Sequence, residues 1–176
     1  IKLISYWKCP CSPTVLVKPY QLDEAMRSWW KKLYFNGLGE FFYQNKIQAS
    51  EEDFMSFGFA QDSPSASELK YPHVDDNQRV IVPIGGGKDS VVTLEALRKE
   101  RQVIPFIINP RGATVDCARI AGFPAEEDRV VLKREIDPQL LELNKQGFLN
   151  GHTPFSAMLS FYTLLVSYGT ATRDVA

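Results

Sequence analysis

Three consecutive glycines, Gly85 to Gly87, separate an apolar segment from an amphipathic one. The preceding residues Val80 to Ile84 predict a short, buried parallel strand. From residue 88 onward, apolar residues recur at helical spacing, at Val91, Leu94 and Leu97. Glycine lets the backbone approach an anion closely, and the free N–H groups of a first helical turn point toward it. The feature therefore predicts a phosphate-binding loop in an α/β fold, with a simple strand-to-helix turn as the alternative.

Two common phosphate loops do not fit this segment. The Walker pattern requires glycine where the chain has Val82, and serine or threonine where it has Asp89. The dinucleotide fingerprint requires a third glycine where the chain has Ser90. A phosphate loop of another class is therefore expected.

The segment resembles the Ser-Gly-Gly-x-Asp-Ser loop of the PP-loop ATP pyrophosphatases. The matching residues are Gly86, Gly87, Asp89 and Ser90, with Lys88 at the variable position. Gly85 stands where that family usually has serine, and we count it among the expected ATP-binding residues. The resemblance implies a HUP-like parallel sheet with flanking helices, and an enzyme that cleaves ATP between its α and β phosphates and transfers AMP to a carboxylate or carbonyl oxygen.

The resemblance also implies a role for each residue of the loop. Gly86, Gly87 and Ser90 would hold the departing pyrophosphate, and Lys88 would neutralise its charge. Asp89 would help to place Mg²⁺, directly or through water. ATP and Mg²⁺ are thus the expected ligands, and Lys88 and Asp89 the expected catalytic residues of the loop.

Two stretches are similar to the muramoyl-dipeptide glutamate epimerases within that superfamily: residues 83–90 and, downstream, residues 150–156. This similarity implies a UDP-muramoyl dipeptide as the small-molecule carboxylate substrate, whose terminal glutamate would be adenylated and then epimerised. His152 would serve one side of the proton exchange. The alternative role for His152 is that of a hydrogen-bonded residue at a helix cap.

Other functions remain open at this point. The same loop fits a non-catalytic, nucleotide-binding regulatory module, and it fits a tRNA-modifying or amide-forming PP-loop ligase. The chain lacks a zinc-type cluster of cysteine and histidine in its sequence, which disfavours the queuosine-precursor branch. A scaffold whose aromatic region mediates assembly is a further, plainer interpretation.

A second strand is predicted at residues 103–109, which completes a βαβ unit and requires a parallel, right-handed crossover. Ligands of open parallel sheets bind beyond the carboxyl ends of the strands. Asn109 and Arg111 follow the second strand there, so we expect both to border the nucleotide. Arg111 fits a contact with phosphate or with a substrate carboxylate, and equally a solvated surface position.

The remainder of this half continues the α/β pattern. Residues 114–121 and 137–144 predict helices, residues 128–136 a third strand, and residues 170–176 the entry to another strand. The helix predicted at residues 154–168 is apolar nearly all round, so we expect it to be buried against the sheet.

Residues 1–70 predict a small α+β lobe and linker, and residues 71–176 a PP-loop domain whose C-terminal part is missing. The lobe should contain a helix at residues 21–38, with strands at residues 15–20, 40–45 and 53–59. It is rich in aromatic residues, namely Trp29, Trp30, Tyr34, Phe35, Phe41, Phe42, Tyr43, Phe54, Phe57 and Phe59. We interpret these as core residues rather than a platform that stacks a base or sugar, because aromatic residues at helical spacing usually face a core.

Composition limits the partners. The net charge of −1 argues against bulk nucleic acid, although a tRNA substrate is not excluded. The sequence contains no run of about 18 apolar residues, so no membrane span is predicted. Three cysteines, an odd and sparse set, favour a reducing compartment and hence the cytoplasm, and we expect neither them nor the two histidines, His73 and His152, to form a metal cluster.

Overall fold

A computed structural model describes residues 7–9, 11–66, 78–151 and 155–176. The chain divides into two compact units, one formed by Ile1–Tyr71 with Ile136–Phe155 and the other by Pro72–Glu135 with Ser156–Ala176. We call them unit 1 and unit 2. The segment Ile136–Phe155, which sequence alone attached to the nucleotide-binding part, groups with unit 1. The predicted division into domains at residues 70 and 71 stays a prediction.

The described residues form six strands and six helices in an α/β arrangement. The strands are β1 (Thr14–Val17), β2 (Ser56–Phe59), β3 (Arg79–Pro83), β4 (Gln102–Ile108), β5 (Val130–Leu132) and β6 (Asp174–Val175). The helices are α1 (Glu24–Gly37), α2 (Gly39–Gln44), α3 (Lys88–Leu97), α4 (Gly112–Ile120), α5 (Pro138–Lys145) and α6 (Phe155–Thr170). Parallel sheets with flanking helices were predicted, and the structure confirms them.

Unit 1 is built around aromatic side chains. Its strands β1 and β2 pair in parallel, with Thr14 opposite Ser56. Helix α1 begins where the Asp23 side chain accepts a hydrogen bond from the Met26 N–H at 2.8 Å, which satisfies a backbone donor that the helix leaves unpaired. The buried core comprises Trp7, Val15, Tyr34, Leu38, Phe41, Phe42, Phe54 and Met55. Four of the ten aromatic residues predicted as a core belong to it and three more, Trp30, Phe35 and Phe57, pack against it, so the interpretation is confirmed for most of them.

The strand predicted at residues 40–45 is wrong, because these residues form helix α2. Leu38, Phe41 and Phe42 are buried, whereas Tyr43 is 86% exposed. Strand alternation would have placed residues 41 and 43 on the same side. Spacings of three and four residues instead place Leu38, Phe41 and Phe42 on one helical face. Burial of that face favours a helix over a strand.

Unit 2 contains a four-stranded parallel sheet in the order β5-β4-β3-β6. One face of the sheet packs on α3 and α4, through Leu94 and Ala118. The other face packs on α6, through Val166 against Ile81 and Phe106. Helices therefore cover both faces, as the near-continuous apolar character of β3 indicates.

Two features of unit 2 differ from expectation. The third strand was predicted at residues 128–136 and covers only Val130–Leu132, because the backbone of Arg134 bonds the Asn109 side chain instead of a neighbouring strand. Helix α6 is not buried all round, since Leu164 and Leu165 are each 61% exposed. Only one of its faces has the sheet to pack against.

In the part of the chain that the structure describes, no helix is both long enough and apolar enough to cross a membrane. The cytoplasmic location stays a prediction.

Candidate functional site

The glycine loop connects β3 to α3 and is shaped by Gly86. Gly86 has φ of +81°, a left-handed conformation that glycine adopts without strain. A Cβ on Gly86 would lie 3.1 Å from the Ala113 Cβ and 3.2 Å from the Thr114 nitrogen. The loop therefore approaches the first turn of α4 so closely that a Cβ at residue 86 would require this turn to shift by a few tenths of an ångström.

The other glycines around this loop face open space. A Cβ on Gly85, Gly87 or Gly112 would meet no neighbouring atom within 4 Å. Gly87 is the N-cap of α3 in an extended conformation, and no side chain caps it. Because side chains do not fill the space beside these three glycines, the backbone around the loop is accessible from outside the unit.

Charged side chains follow directly after the loop. Lys88 and Asp89 occupy the first turn of α3 and are exposed. Within the described residues, neither side chain makes a hydrogen bond or ion pair. The Ser90 hydroxyl, by contrast, donates to the Gly87 carbonyl at 2.9 Å. Lys88 and Asp89 are thus available to a ligand as they stand, whereas Ser90 would need to turn its hydroxyl away from Gly87.

The strand order places this loop at a topological switch point. From β3 the chain proceeds through β4 to β5 on one side, and it returns to β6 on the other side of β3. Ligands of open α/β sheets bind in the crevice that forms where the strand order reverses, outside the carboxyl ends of the strands. Gly85 to Gly87 follow the carboxyl end of β3 and therefore lie beside that crevice.

Asn109 and Arg111 follow the neighbouring strand β4, as predicted. Asn109 has φ of +48°, and its side-chain amide bonds the Arg134 backbone in both directions: it donates to the carbonyl at 2.8 Å and accepts from the N–H at 2.6 Å. Arg111 is the N-cap residue of α4, and its N–H donates to the Thr114 hydroxyl at 2.9 Å. The Asn109 side chain is thus engaged by the Arg134 backbone, whereas the Arg111 side chain is exposed to solvent.

His152 and His73 lie outside the described residues. The two residues before His152 are held within unit 1: the Asn45 side-chain amide donates to the Asn150 carbonyl at 3.3 Å, and the Lys8 ammonium donates to the Gly151 carbonyl at 2.5 Å. The role of His152 stays a prediction from sequence.

Lys8 is a candidate that the sequence did not reveal. It is only 3% exposed, its ammonium lies 5.8 Å from the Phe41 ring centroid, and burial lowers its pKa, an effect that Cys9 partly opposes. A buried lysine of lowered pKa is a common feature of functional sites. No local pattern signals it, because the burial comes from Phe41 and Gly151, which are distant in sequence.

Arg134 is a second residue that sequence reasoning missed. It is half-buried just beyond β5, at the same edge of the sheet as the glycine loop and Arg111. The predicted strand had extended through this residue and so concealed its position at the edge.

Comparison with known proteins identifies the chain's relatives. The sequence model of a family described as "MurL N-terminal domain" matches residues 1–176. A protein of Xanthomonas oryzae pv. oryzae named UDP-N-acetyl-alpha-D-muramoyl-L-alanyl-L-glutamate epimerase is 32% identical over 166 residues, which are 93% of this chain and 34% of that protein. Proteins with the same name from Micromonospora sp. and Salinispora tropica are each 33% identical, over 96% and 93% of this chain and 35% and 34% of their own lengths.

The chain therefore spans about a third of the length of the curated relatives that it matches. No solved structure matches it.

Proposed function

We propose, from the premise that the chain belongs to the MurL N-terminal domain family, that it is the ATP-binding part of an enzyme that epimerises the terminal glutamate of UDP-MurNAc-L-Ala-L-Glu. The names of the relatives support the epimerase half of this proposal. The ATP half depends on one observation: an open glycine loop lies at the switch point of a parallel sheet and is followed by a lysine and an aspartate that have no partner among the described residues. A PP-loop, HUP-like domain is part of the same proposal.

The residues of the loop suit a triphosphate. The open backbone at Gly85 and Gly87 and the first-turn N–H groups of α3 would bind the β and γ phosphates. Lys88 would neutralise charge on the leaving group. A single preorganised donor of this kind typically lowers a barrier by ~3 kcal/mol.

Asp89 is the residue that would hold Mg²⁺. No group of three or more histidine, cysteine, aspartate or glutamate side chains in the described ranges could hold a metal ion. Magnesium retains several waters and is commonly bound through one or two carboxylates plus substrate phosphates, so a single exposed aspartate beside a phosphate loop suffices. When bound, the ion would neutralise charge that develops on the phosphates.

Activation explains why an epimerase would consume ATP. A carboxylate oxygen of the glutamate attacks the α-phosphorus, and the bond to the oxygen that bridges the α and β phosphates breaks, so that pyrophosphate leaves. The resulting acyl adenylate withdraws electrons from the neighbouring α-carbon and acidifies its C–H bond. A base then removes this proton, an acid returns a proton on the opposite face, and water releases AMP and the D-glutamyl product. His152 is the residue of this chain proposed for one side of the exchange.

Product analysis tests the proposal. The intact protein is incubated with Mg·ATP and UDP-MurNAc-L-Ala-L-Glu in D₂O, and nucleotides and glutamate stereochemistry are measured by chromatography and mass spectrometry. We expect AMP and pyrophosphate, together with deuterium at the glutamate α-carbon. UDP-MurNAc-L-Ala, which lacks the glutamate, is the control and should give no AMP.

Three other outcomes would contradict parts of the proposal. ADP and phosphate as products would refute the assignment of the glycine loop. Tight binding of ATP without turnover would identify a regulatory module. AMP release that requires a different acceptor, such as tRNA, would identify a ligase.

A further inference from the structure

Arg134 is fixed at the ligand-binding edge of the sheet by its backbone. Its N–H donates to the Asn109 Oδ1 at 2.6 Å, and its carbonyl accepts from the Asn109 Nδ2 at 2.8 Å. The Asn109 N–H in turn donates to the Leu132 carbonyl at 2.9 Å. The loop after β4 and the residues after β5 are thus joined by three hydrogen bonds, which fix the point from which the Arg134 side chain extends.

The Arg134 guanidinium has no partner among the residues that the structure describes. Two other arginines of unit 2 are paired with carboxylates: Arg101 bonds Asp174 at 2.7 Å, and Arg119 bonds Asp116 at 3.1 Å. Across residues 78–151 and the other described ranges, the side chain of Arg134 makes no hydrogen bond or ion pair, and neither does that of Arg111. Two unpaired guanidinium groups therefore follow two neighbouring strands at one edge.

Basic side chains outnumber carboxylates at this edge, so the local charge is positive. Asp89 follows β3 and Glu135 follows Arg134, and both are exposed. Against them stand Lys88, Arg111 and the adjacent Lys133 and Arg134. In a chain with a net charge of −1, this edge suits an anionic ligand.

The spacing of the strands separates Arg134 from the glycine loop. Neighbouring strands lie about 4.8 Å apart, so the end of β5 lies roughly 10 Å from the end of β3. The proposed pyrophosphate site is at the end of β3, where Lys88 follows the glycine loop, whereas the Arg134 side chain extends from a point two strands away. The anion at Arg134 should therefore belong to the other substrate.

We propose that Arg134, supported by Arg111, binds the side-chain carboxylate of the substrate's terminal glutamate. This inference rests on the proposed function. The α-carboxylate is used for activation, so the side-chain carboxylate remains as the free anion of that residue. A guanidinium binds a carboxylate through two parallel N–H donors, and this contact would make Arg134 the residue that distinguishes glutamate from glutamine.

The test compares substrate binding in three variants of the intact protein. Arg134→Gln removes the charge, Arg134→Lys retains the charge without the planar fork, and Arg173→Gln is the matched control. Arg173 is an exposed arginine before β6, at the opposite, amino-terminal edge of the same sheet. The dissociation constants of UDP-MurNAc-L-Ala-L-Glu, of UDP-MurNAc-L-Ala-L-Gln and of Mg·ATP are measured by calorimetry, and circular dichroism checks the fold of each variant.

Arg134→Gln should weaken binding of the glutamate substrate by about 10- to 100-fold, the range for a hydrogen bond to a charged group. It should change the affinities for the glutamine analogue and for Mg·ATP by less than about twofold, as Arg173→Gln should for all three ligands. Arg134→Lys should lie between wild type and Arg134→Gln for the glutamate substrate.

The results separate this inference from the proposed function. Unchanged affinity for the glutamate substrate in Arg134→Gln would overturn the inference, and so would equal losses for glutamate and glutamine substrates or for Mg·ATP. A wild-type protein that does not bind Mg·ATP, but in which Arg134→Gln still weakens only the glutamate substrate, would refute the proposed function and leave the carboxylate site in place.

Discussion

The aromatic core of unit 1 and the glycine loop of unit 2 differ in how densely side chains are packed. In the core, the Trp7 ring meets the rings of Phe42 and Phe54 edge to face, with centroids 6.4 Å and 5.7 Å apart. Such pairs are stabilised by ring electrostatics as well as by burial. In the loop, side chains are missing at three successive positions, and two of these, Gly85 and Gly87, face open space.

The difference indicates which residues stabilise the fold and which are available to bind a ligand. Core residues are surrounded by other side chains, so a change in them leaves a cavity. Loop residues adjoin unpaired charges, so a change in them should alter binding without unfolding the chain. Substitutions in the core and in the loop test this division.

Phe41→Ala should destabilise unit 1 by about 3–5 kcal/mol, because Phe41 is completely buried and its removal leaves a large cavity. The free energy of unfolding is measured by urea denaturation with tryptophan fluorescence, to which Trp7 in the same core contributes. Tyr43→Ala is the matched control on the same helix and should change stability by less than about 0.5 kcal/mol. A loss below about 1 kcal/mol in Phe41→Ala would contradict the view that this core stabilises unit 1.

Asp89→Ala should lower turnover by at least about 100-fold while the free energy of unfolding stays within about 0.5 kcal/mol of wild type. The physical reason is that Asp89 is exposed and has no partner in the described part of the chain, so its loss should affect metal placement and not packing. Turnover is measured as AMP release. Glu100→Ala, which removes an exposed carboxylate just beyond the other end of α3, is the control. Unchanged turnover in Asp89→Ala would argue decisively against a metal role.

Sequence reasoning succeeded where local pattern and tertiary context agree. The run from Val80 to Ile84, the glycines and the periodic apolar residues after them predict β3, the loop and α3, and the structure contains all three. Strand, turn and helix signals each depend on neighbouring residues only, so no distant contact was needed to recognise them.

Sequence reasoning failed where a contact with residues distant in the chain determines the conformation. Residues 40–45 have strong strand propensity, yet burial of Phe41 and Phe42 in one core makes them helical. The third strand ends early because Asn109, 25 residues before Arg134, takes its backbone bonds. Lys8 and Arg134 escaped notice for the same reason, since their surroundings come from residues far along the chain.

Burial raises the pKa of the Tyr34 hydroxyl to about 12. The folded state therefore binds this proton more tightly than the unfolded state, where the pKa is about 10. The associated stability is fully present below pH 10 and is lost as the pH rises from 10 to 12, by about 2–3 kcal/mol in total.

Urea denaturation of unit 1 at several pH values between 8 and 12 measures this loss. Tyr34→Phe keeps the ring and removes the titrating group, so its stability should fall less steeply across the same range. The difference between the two proteins also cancels the contribution of Lys8, whose lowered pKa acts in the opposite direction. Parallel pH profiles for wild type and Tyr34→Phe would show that Tyr34 is not buried in the folded state.

Gly86→Ala should cost roughly 1–3 kcal/mol in unfolding free energy, because alanine is strained at the positive φ of Gly86. Its Cβ would also press on the first turn of α4, and Ala113 there offers no flexible side chain that could move away. Mg·ATP affinity, measured by calorimetry, should fall together with stability, since the loop cannot keep its shape.

Gly85→Ser is the contrasting change at the adjacent position and should have the smallest effect. A Cβ there meets nothing within 4 Å, and φ at Gly85 is not in the left-handed range. Stability should therefore stay within about 0.5 kcal/mol of wild type, and the added hydroxyl, which PP-loop proteins usually have at this position, should hold or improve Mg·ATP affinity. Gly85→Ser could instead weaken Mg·ATP binding as much as Gly86→Ala does. The phosphates would then not bind in the space beside Gly85, and the open loop would not be the part of the molecule that binds the ligand.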